Sequence, residues 1–213
     1  MKTYLTEFIG TFFLVLTIGL AVLSGSPLAP LAIGSALMVM VYMGGHISGA
    51  HFNPAVTLAI WMRGKLPASQ VIPYWVSQIL GALVAAFVVH IMTGHTFAPA
   101  PSAEASSLGA VGVEILYTFA LALVVLNVAT AKQTAGNPFY GLAIGFTVTA
   151  GAFAGGPISG GAFNPAVGIG PIVIESFMGG GDYSNLWLYL VGPMVGAAVA
   201  VLAFRVQHAG TAD

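Results

Sequence analysis

The chain has 213 residues, 58% of them hydrophobic and only 5% charged, with a formal net charge of −1. Soluble domains carry about 25% charged residues, so the composition and a mean hydropathy of +0.96 exclude water as the main solvent. Five Lys and Arg offer no basic face to nucleic acid, and the lack of cysteine excludes disulfides and thiolate metal sites.

Taken in order, the first apolar segment covers about Tyr4–Leu23. Its start resembles a signal peptide, but Glu7 interrupts it and the second half of the chain echoes it, so it reads as a span. Ser24–Pro30 is a turn, and the second segment, about Leu31–Met43, dissolves into a Gly-rich stretch. A half-length helix follows over about Pro54–Met62, ending at Arg63-Gly64-Lys65. The third segment is about Gln70–Met92, and a polar connection, Thr93–Ser107, divides the chain. The fourth is about Gly109–Ala131, the fifth about Phe139–Phe153, a second half-helix about Pro165–Phe177, and the sixth about Leu186–Val206. The six longer segments approach or reach the roughly 20 residues that a bilayer demands.

The two halves repeat each other. Gly44-Gly45-His46-Ile47-Ser48-Gly49-Ala50-His51-Phe52-Asn53-Pro54-Ala55-Val56 is answered by Gly155-Gly156-Pro157-Ile158-Ser159-Gly160-Gly161-Ala162-Phe163-Asn164-Pro165-Ala166-Val167. Each reads as irregular backbone, a phenylalanine, and Asn-Pro-Ala opening a helix, with Asn as cap and Pro at the first position. Glu7-Phe8-Ile9-Gly10-Thr11-Phe12 likewise answers Glu114-Ile115-Leu116-Tyr117-Thr118-Phe119. The repeats cover about residues 1–93 and 108–206 of one transmembrane domain. Each contains an odd number of spans, so the second must insert upside down, and the two broken helices meet near the midplane.

Orientation follows from charge. With the N-terminus inside, Lys2, Arg63, Lys65, Lys132 and Arg205 all fall on the cytoplasmic side, and Glu104 and Asp182 fall outside. The C-terminus is then cytoplasmic too, and the short tails, including 207–213, leave little room for a gating domain.

Irregular backbone at membrane depth requires burial in protein or a water-filled cavity. Such a cavity would carry a ladder of free carbonyls along one wall. Asn53 and Asn164 would each cap a half-helix through Oδ1 and keep amide donors for a passing molecule. Two helix N-termini converging there add positive potential against cations.

At this point the chain resembles the aquaporin, or major intrinsic protein, family over essentially its whole length: six spans, two half-helices, doubled Asn-Pro-Ala and the Glu of spans one and four. The resemblance implies an all-α membrane fold with six transmembrane helices and two re-entrant half-helices in an inverted repeat. It also implies a homotetramer with one pore per subunit, in the plasma membrane, passing water and small neutral solutes without a cofactor.

The family also places a selectivity filter outside the Asn pair, which carries over by spacing to Ile33, Ala152 (with Phe153 as the neighbouring alternative), Gly161 and Val167. Here the chain departs from its relatives. Most have Arg at the position of Val167, and water-specific members add an aromatic and a His at the span-two and span-five positions. Some plant vacuolar-type members also have Val there, and pass urea, ammonia or hydrogen peroxide besides water. An uncharged, wider constriction is expected. A glycerol facilitator is the nearest rival, although such proteins follow the second motif with Arg-Asp where this chain has Val167-Gly168. A secondary transporter or a structural membrane protein ranks below both, and no nucleophile–base pair or metal-spaced cluster suggests an enzyme.

Glu7 and Glu114 are expected to accept hydrogen bonds from the Gly-rich backbone, with His46 and His51 as further loop supports. Gln78 is expected to satisfy backbone between spans. Trp75 joins Trp61 and Trp187 near span ends, and Gly10, Gly81, Gly145 and Gly196 offer small faces for helix crossing.

Overall fold

The computed structural model describes residues 1–210, so the expected tail over 207–213 lies partly outside the described residues. Eight α-helices follow in order: α1 Lys2–Leu23, α2 Ala29–Ser48, α3 Pro54–Met62, α4 Ala68–Thr93, α5 Ser107–Thr130, α6 Tyr140–Ser159, α7 Pro165–Met178 and α8 Leu186–Gln207. A single 3-10 turn, Lys132–Thr134, lies between α5 and α6. Six of these helices are long and apolar enough to cross a membrane. The other two, α3 and α7, are 9 and 14 residues long. At about 1.5 Å per residue they reach roughly 35 Å together, so end to end they make about one further span.

Two expected boundaries are corrected. The second and fifth spans do not dissolve at Met43 and Phe153; α2 continues through Gly44-Gly45-His46 to Ser48, and α6 runs through Gly155-Gly156-Pro157 to Ser159. Glycine costs a helix about 1 kcal/mol relative to alanine in water. Inside a bilayer the alternative is an unpaired backbone group, which costs several kcal/mol, so the helix persists. The non-helical backbone shrinks to Gly49–Phe52 and Gly160–Phe163. Each helix ends on a left-handed glycine, Gly49 at φ 85° and Gly160 at φ 89°, a conformation other residues adopt only with strain.

Glycines also set how closely the helices cross. A Cβ on Gly34 would meet the Gly145 carbonyl oxygen at 2.5 Å, and a Cβ on Gly145 would meet that of Gly34 at 2.5 Å, so α2 and α6 touch backbone to backbone across the two halves. Gly81 and Gly196 bring α4 onto α1 and α8 onto α5 in the same way. Gly10 differs from expectation: its missing side chain makes room for the Phe52 ring of the loop, not for a neighbouring helix. The half-helices are exchanged between repeats, α3 packing chiefly on α8 and α7 chiefly on α4. That exchange brings the starts of α3 and α7 together inside the bundle.

Candidate functional site

Each half-helix begins where an extended residue meets a proline. Asn53 has φ −157° and ψ 121°, and its Oδ1 accepts from the Ala55 N–H at 2.8 Å. Asn164 has φ −159° and ψ 114°, and its Oδ1 accepts from the Ala166 N–H at 3.0 Å. The missing N–H of Pro54 and Pro165 leaves no orphan donor at the first helical position. With the oxygens committed to the caps, the amide nitrogens point across the pseudo-twofold. Asn53 Nδ2 donates to the Phe163 carbonyl and Asn164 Nδ2 to the Phe52 carbonyl, each at 2.9 Å. An amide nitrogen carries two hydrogens, so each Asn retains one donor beyond this cross-link.

The backbone preceding each Asn is held in an unusual shape. Phe52 and Phe163 have φ of 49° and 50°, and Ala50 has φ of 51°, a region that costs a non-glycine residue about 1–3 kcal/mol. A buried carboxylate over-determines each loop. Glu7 accepts from the Ser48 hydroxyl at 2.6 Å, the His51 N–H at 3.0 Å and the Phe52 N–H at 2.7 Å. Glu114 accepts from the Ser159 hydroxyl at 2.8 Å, the Ala162 N–H at 3.0 Å and the Phe163 N–H at 2.7 Å. A tyrosine closes each arrangement from the last span of the half: Tyr74 donates to the Ser48 carbonyl and Tyr189 to the Ser159 carbonyl.

Several supports differ from those read in the sequence. His46 is exposed near the end of α2, with no hydrogen bond to either loop among the described residues; the helix continuing past Met43 carries it outward. His51 is buried, with its Nδ1 3.1 Å from the Thr57 hydroxyl. Gln78 pairs with side chains, not backbone: its Nε2 donates to Glu7 at 2.8 Å and to Thr57 at 2.9 Å. Trp75 donates from Nε1 to the Pro54 carbonyl at 3.0 Å, so it braces α3 instead of serving only as an interfacial anchor. Gln78 and Thr57 are the functional-site residues that sequence reasoning left unassigned or misassigned. Their signal was a buried amide in an apolar span and a hydroxyl one turn beyond the Asn cap.

A cavity of about 390 Å³ runs through the bundle past both Asn53 and Asn164. Ile33, Ala152, Gly161 and Val167 all line it, from α2, α6, the second loop and α7. Phe153, the alternative to Ala152, lies on the outer surface at 49% exposure. The lining joins apolar side chains, Leu14, Leu37, Leu121 and Ile144 among them, to residues of the two loops. A second cavity of about 460 Å³ opens beside Lys65 and Gln70. His51 and Val125 border both cavities and mark the throat between them. No Asp, Glu, Lys or Arg lines the first cavity: Glu7 and Glu114 lie behind the loops that line it and are themselves fully buried. Such a passage can hold a small neutral molecule against carbonyl acceptors and two amide donors, and offers no counter-charge to an ion.

Comparison with known proteins agrees with this architecture. The family model described as major intrinsic protein matches residues 1–204. The chain is similar to aquaporin NIP1-1 of Zea mays, 37% identical over 96% of this chain and 74% of the relative. It is similar to glycerol uptake facilitator protein-like 6 of Lactiplantibacillus plantarum, 39% identical over 97% of this chain and 98% of the relative. It is also similar to aquaporin TIP2-1 of Arabidopsis thaliana, 36% identical over 100% of this chain and 90% of the relative. Among solved structures, the aquaglyceroporin from Plasmodium falciparum shares the fold, with a TM-score of 0.84, 23% identity and coverage of 95% of this chain and 94% of that one.

Proposed function

The chain belongs to the major intrinsic protein family, whose members are channels and not enzymes, and from that premise we propose that it passes water together with urea, ammonia, hydrogen peroxide or glycerol. The observation that carries this reading is the cavity in which Asn53 and Asn164 meet while Ile33, Ala152, Gly161 and Val167 present no charge. A water molecule at the Asn pair accepts one hydrogen bond from each free amide hydrogen. Its own hydrogens then point away along the file, so it cannot take a proton from a neighbouring water. The two half-helix N-termini add a positive potential that opposes cations. Outside the pair, the four filter residues neither anchor a solute through a fixed donor nor repel one through a charge. Size and desolvation therefore decide what passes.

Glycerol is included because the apolar wall suits a carbon backbone while the carbonyls of the loops accept its hydroxyls. The similarity to a protein named as a glycerol uptake facilitator supports the same reading. The protein is read as a homotetramer in the plasma membrane with one pore per subunit and both termini cytoplasmic; every Lys and Arg then lies inside.

Stopped-flow light scattering on proteoliposomes tests this. An impermeant osmolyte should give fast shrinkage with a low activation energy, and gradients of urea, glycerol or ammonia should give re-swelling. Shrinkage without re-swelling in any solute would refute the wide filter. Water flux equal to bare liposomes would refute the channel.

A further inference from the structure

Charge is divided between the two ends of the bundle. The helix directions put Lys2, Arg63, Lys65, Lys132 and Arg205 at one end. Among the described residues no carboxylate answers them there: Glu7 and Glu114 are buried behind the loops, and Glu104, Glu175 and Asp182 lie toward the other end. Two of the cations meet where α3 ends against α8. Arg205 Nη2 donates to the Met62 carbonyl at 3.0 Å, and the Arg63 guanidinium lies over the Phe204 ring, 4.8 Å from its centre. A guanidinium carries its N–H donors in a rigid fork. Arg205 is exposed, and the Met62 bond fixes its position while leaving most of that fork open.

The surface beside this pair is apolar and long. Val191, Val195, Val199, Leu202 and Val206 are all exposed and recur at helical spacing, so they form one ridge along α8 that ends at Arg205. Ile72, Val76 and Leu80 form a second ridge on α4. Both half-helices pack on both α4 and α8, so they floor the surface between the ridges. Trp61 is exposed on that floor next to Met62, and indole rings favour the membrane–water boundary. Fork, indole and apolar ridges thus follow one another as the phosphate, ester level and acyl chains of a phospholipid do.

We propose that this corner, between α4 and α8 over the end of α3, binds one anionic phospholipid, with its phosphate on Arg205 and its acyl chains along the α8 ridge. A lipid phosphate matches the guanidinium fork as a bidentate acceptor, and the lack of carboxylates leaves an anionic headgroup unopposed. A zwitterionic lipid offers the same phosphate but brings a further cation among the arginines. Bound there, the lipid clamps the end of α3, the half-helix that Asn53 caps, against α8. The site requires only that the protein sit in a bilayer, so it stands apart from the choice of solute.

Trp61 and Trp187 are exposed near opposite ends of the bundle and serve as two reporters. Trp187→Phe leaves Trp61 to report the proposed site, and Trp61→Phe leaves Trp187 to report the end without it; the partly buried Trp75 is common to both. Fluorescence quenching is measured in mixed vesicles in which either phosphatidylglycerol or phosphatidylcholine carries dibrominated chains. At Trp61 the anionic lipid should bind about fivefold more strongly than phosphatidylcholine, and at Trp187 the two should quench alike. Arg205→Gln should bring the Trp61 ratio to about one. Lys132→Gln, which removes a cation at the same end but between α5 and α6, should leave the ratio in place. Equal quenching of Trp61 by both lipids overturns the proposal. A ratio that Lys132→Gln lowers as far as Arg205→Gln does so too, since the preference would then belong to the whole charged end. Loss of the ratio on adding soluble glycerol phosphate also overturns it, in favour of a site for free phosphate esters. If Arg205→Gln does not fold, the comparison of Trp61 with Trp187 decides by itself. A protein without water flux refutes the channel reading and leaves these ratios to be judged alone.

Discussion

Replacing Glu114 with alanine removes the acceptor for three donors at once. The Ser159 hydroxyl can turn to the Gly155 carbonyl, 3.5 Å away, but the Ala162 and Phe163 N–H groups have no such alternative. Both residues are buried, and Glu114 itself is fully buried. A buried donor left unpaired costs about 1–3 kcal/mol, and bonds to a charged group contribute about 1.5–3 kcal/mol each. Two stranded N–H groups therefore cost about 2–6 kcal/mol, a large fraction of the roughly 5–15 kcal/mol that separates folded from unfolded states. Phe163 at φ 50° would also lose the bond that holds it there. Glu114→Gln keeps one acceptor oxygen and turns an NH₂ toward the remaining donor, so it should fall between alanine and the parent. Tryptophan-fluorescence melting in detergent, at one scan rate because unfolding of membrane proteins is often irreversible, should rank parent, Glu114→Gln and Glu114→Ala in that order. Glu104→Ala, in the exposed connection, should match the parent. A Glu114→Ala protein with parental melting and parental water flux would refute the claim that the carboxylate holds the loop.

Three further outcomes are expected. Val167→Arg places a fixed cation and a planar donor in the cavity, and should lower urea and glycerol re-swelling about tenfold or more relative to water; unchanged ratios would remove Val167 from the filter. Asn53→Asp with Asn164→Asp replaces the two central donors by carboxylates, and planar-bilayer recording should show a cation current absent from the parent. Gly145→Val drives a branched side chain into the Gly34 carbonyl and Met38; the α2–α6 crossing cannot absorb it, so folded yield should collapse, whereas Gly112→Val, with open space around it, should purify normally.

The parts legible in the sequence were those with a local signature. Asn-Pro at each half-helix start combines a cap with a residue suited only to the first turn, and α3 and α7 begin at Pro54 and Pro165. An ionisable Glu inside an apolar run had to find donors within the protein, and the nearest unpaired donors belonged to the bent loops. The ends of α2 and α6 were not legible, because glycine's propensity is measured against water, which the bilayer lacks. The cross-links from Asn53 to the Phe163 carbonyl and from Asn164 to the Phe52 carbonyl left no trace either. A backbone acceptor has no sequence signature, and the partners lie about half the chain apart. Gln78 was misassigned for a related reason: its acceptors, Glu7 and Thr57, come from different helices and converge only once α1, α3 and α4 are packed.

The two halves share a scaffold but not a lining, and that difference makes the two ends of the passage unlike. Glu7, Ser48 and Tyr74 have exact functional counterparts in Glu114, Ser159 and Tyr189, each making the same kind of bond to its own loop. Beyond this scaffold the equivalence ends. Where the first half has His51, Thr57 and Gln78, the second has Ala162, Gly168 and Pro193. Thr57 donates its one hydroxyl hydrogen to the Asn53 carbonyl at 3.1 Å and accepts from Gln78. His51 Nδ1 lies 3.1 Å from the same hydroxyl, so Thr57 gathers three partners at one oxygen. The imidazole is held at the throat between the two cavities. The other mouth has no such group: Ala162 leaves space, Gly168 leaves room for Tyr189 to pack, and no side-chain amide ties the helix to the loop. A solute moving through one side meets an oriented ring, and through the other an apolar wall. An inverted repeat thus supplies two matching half-helices for the centre, while substitutions at three paired positions make the entrances different.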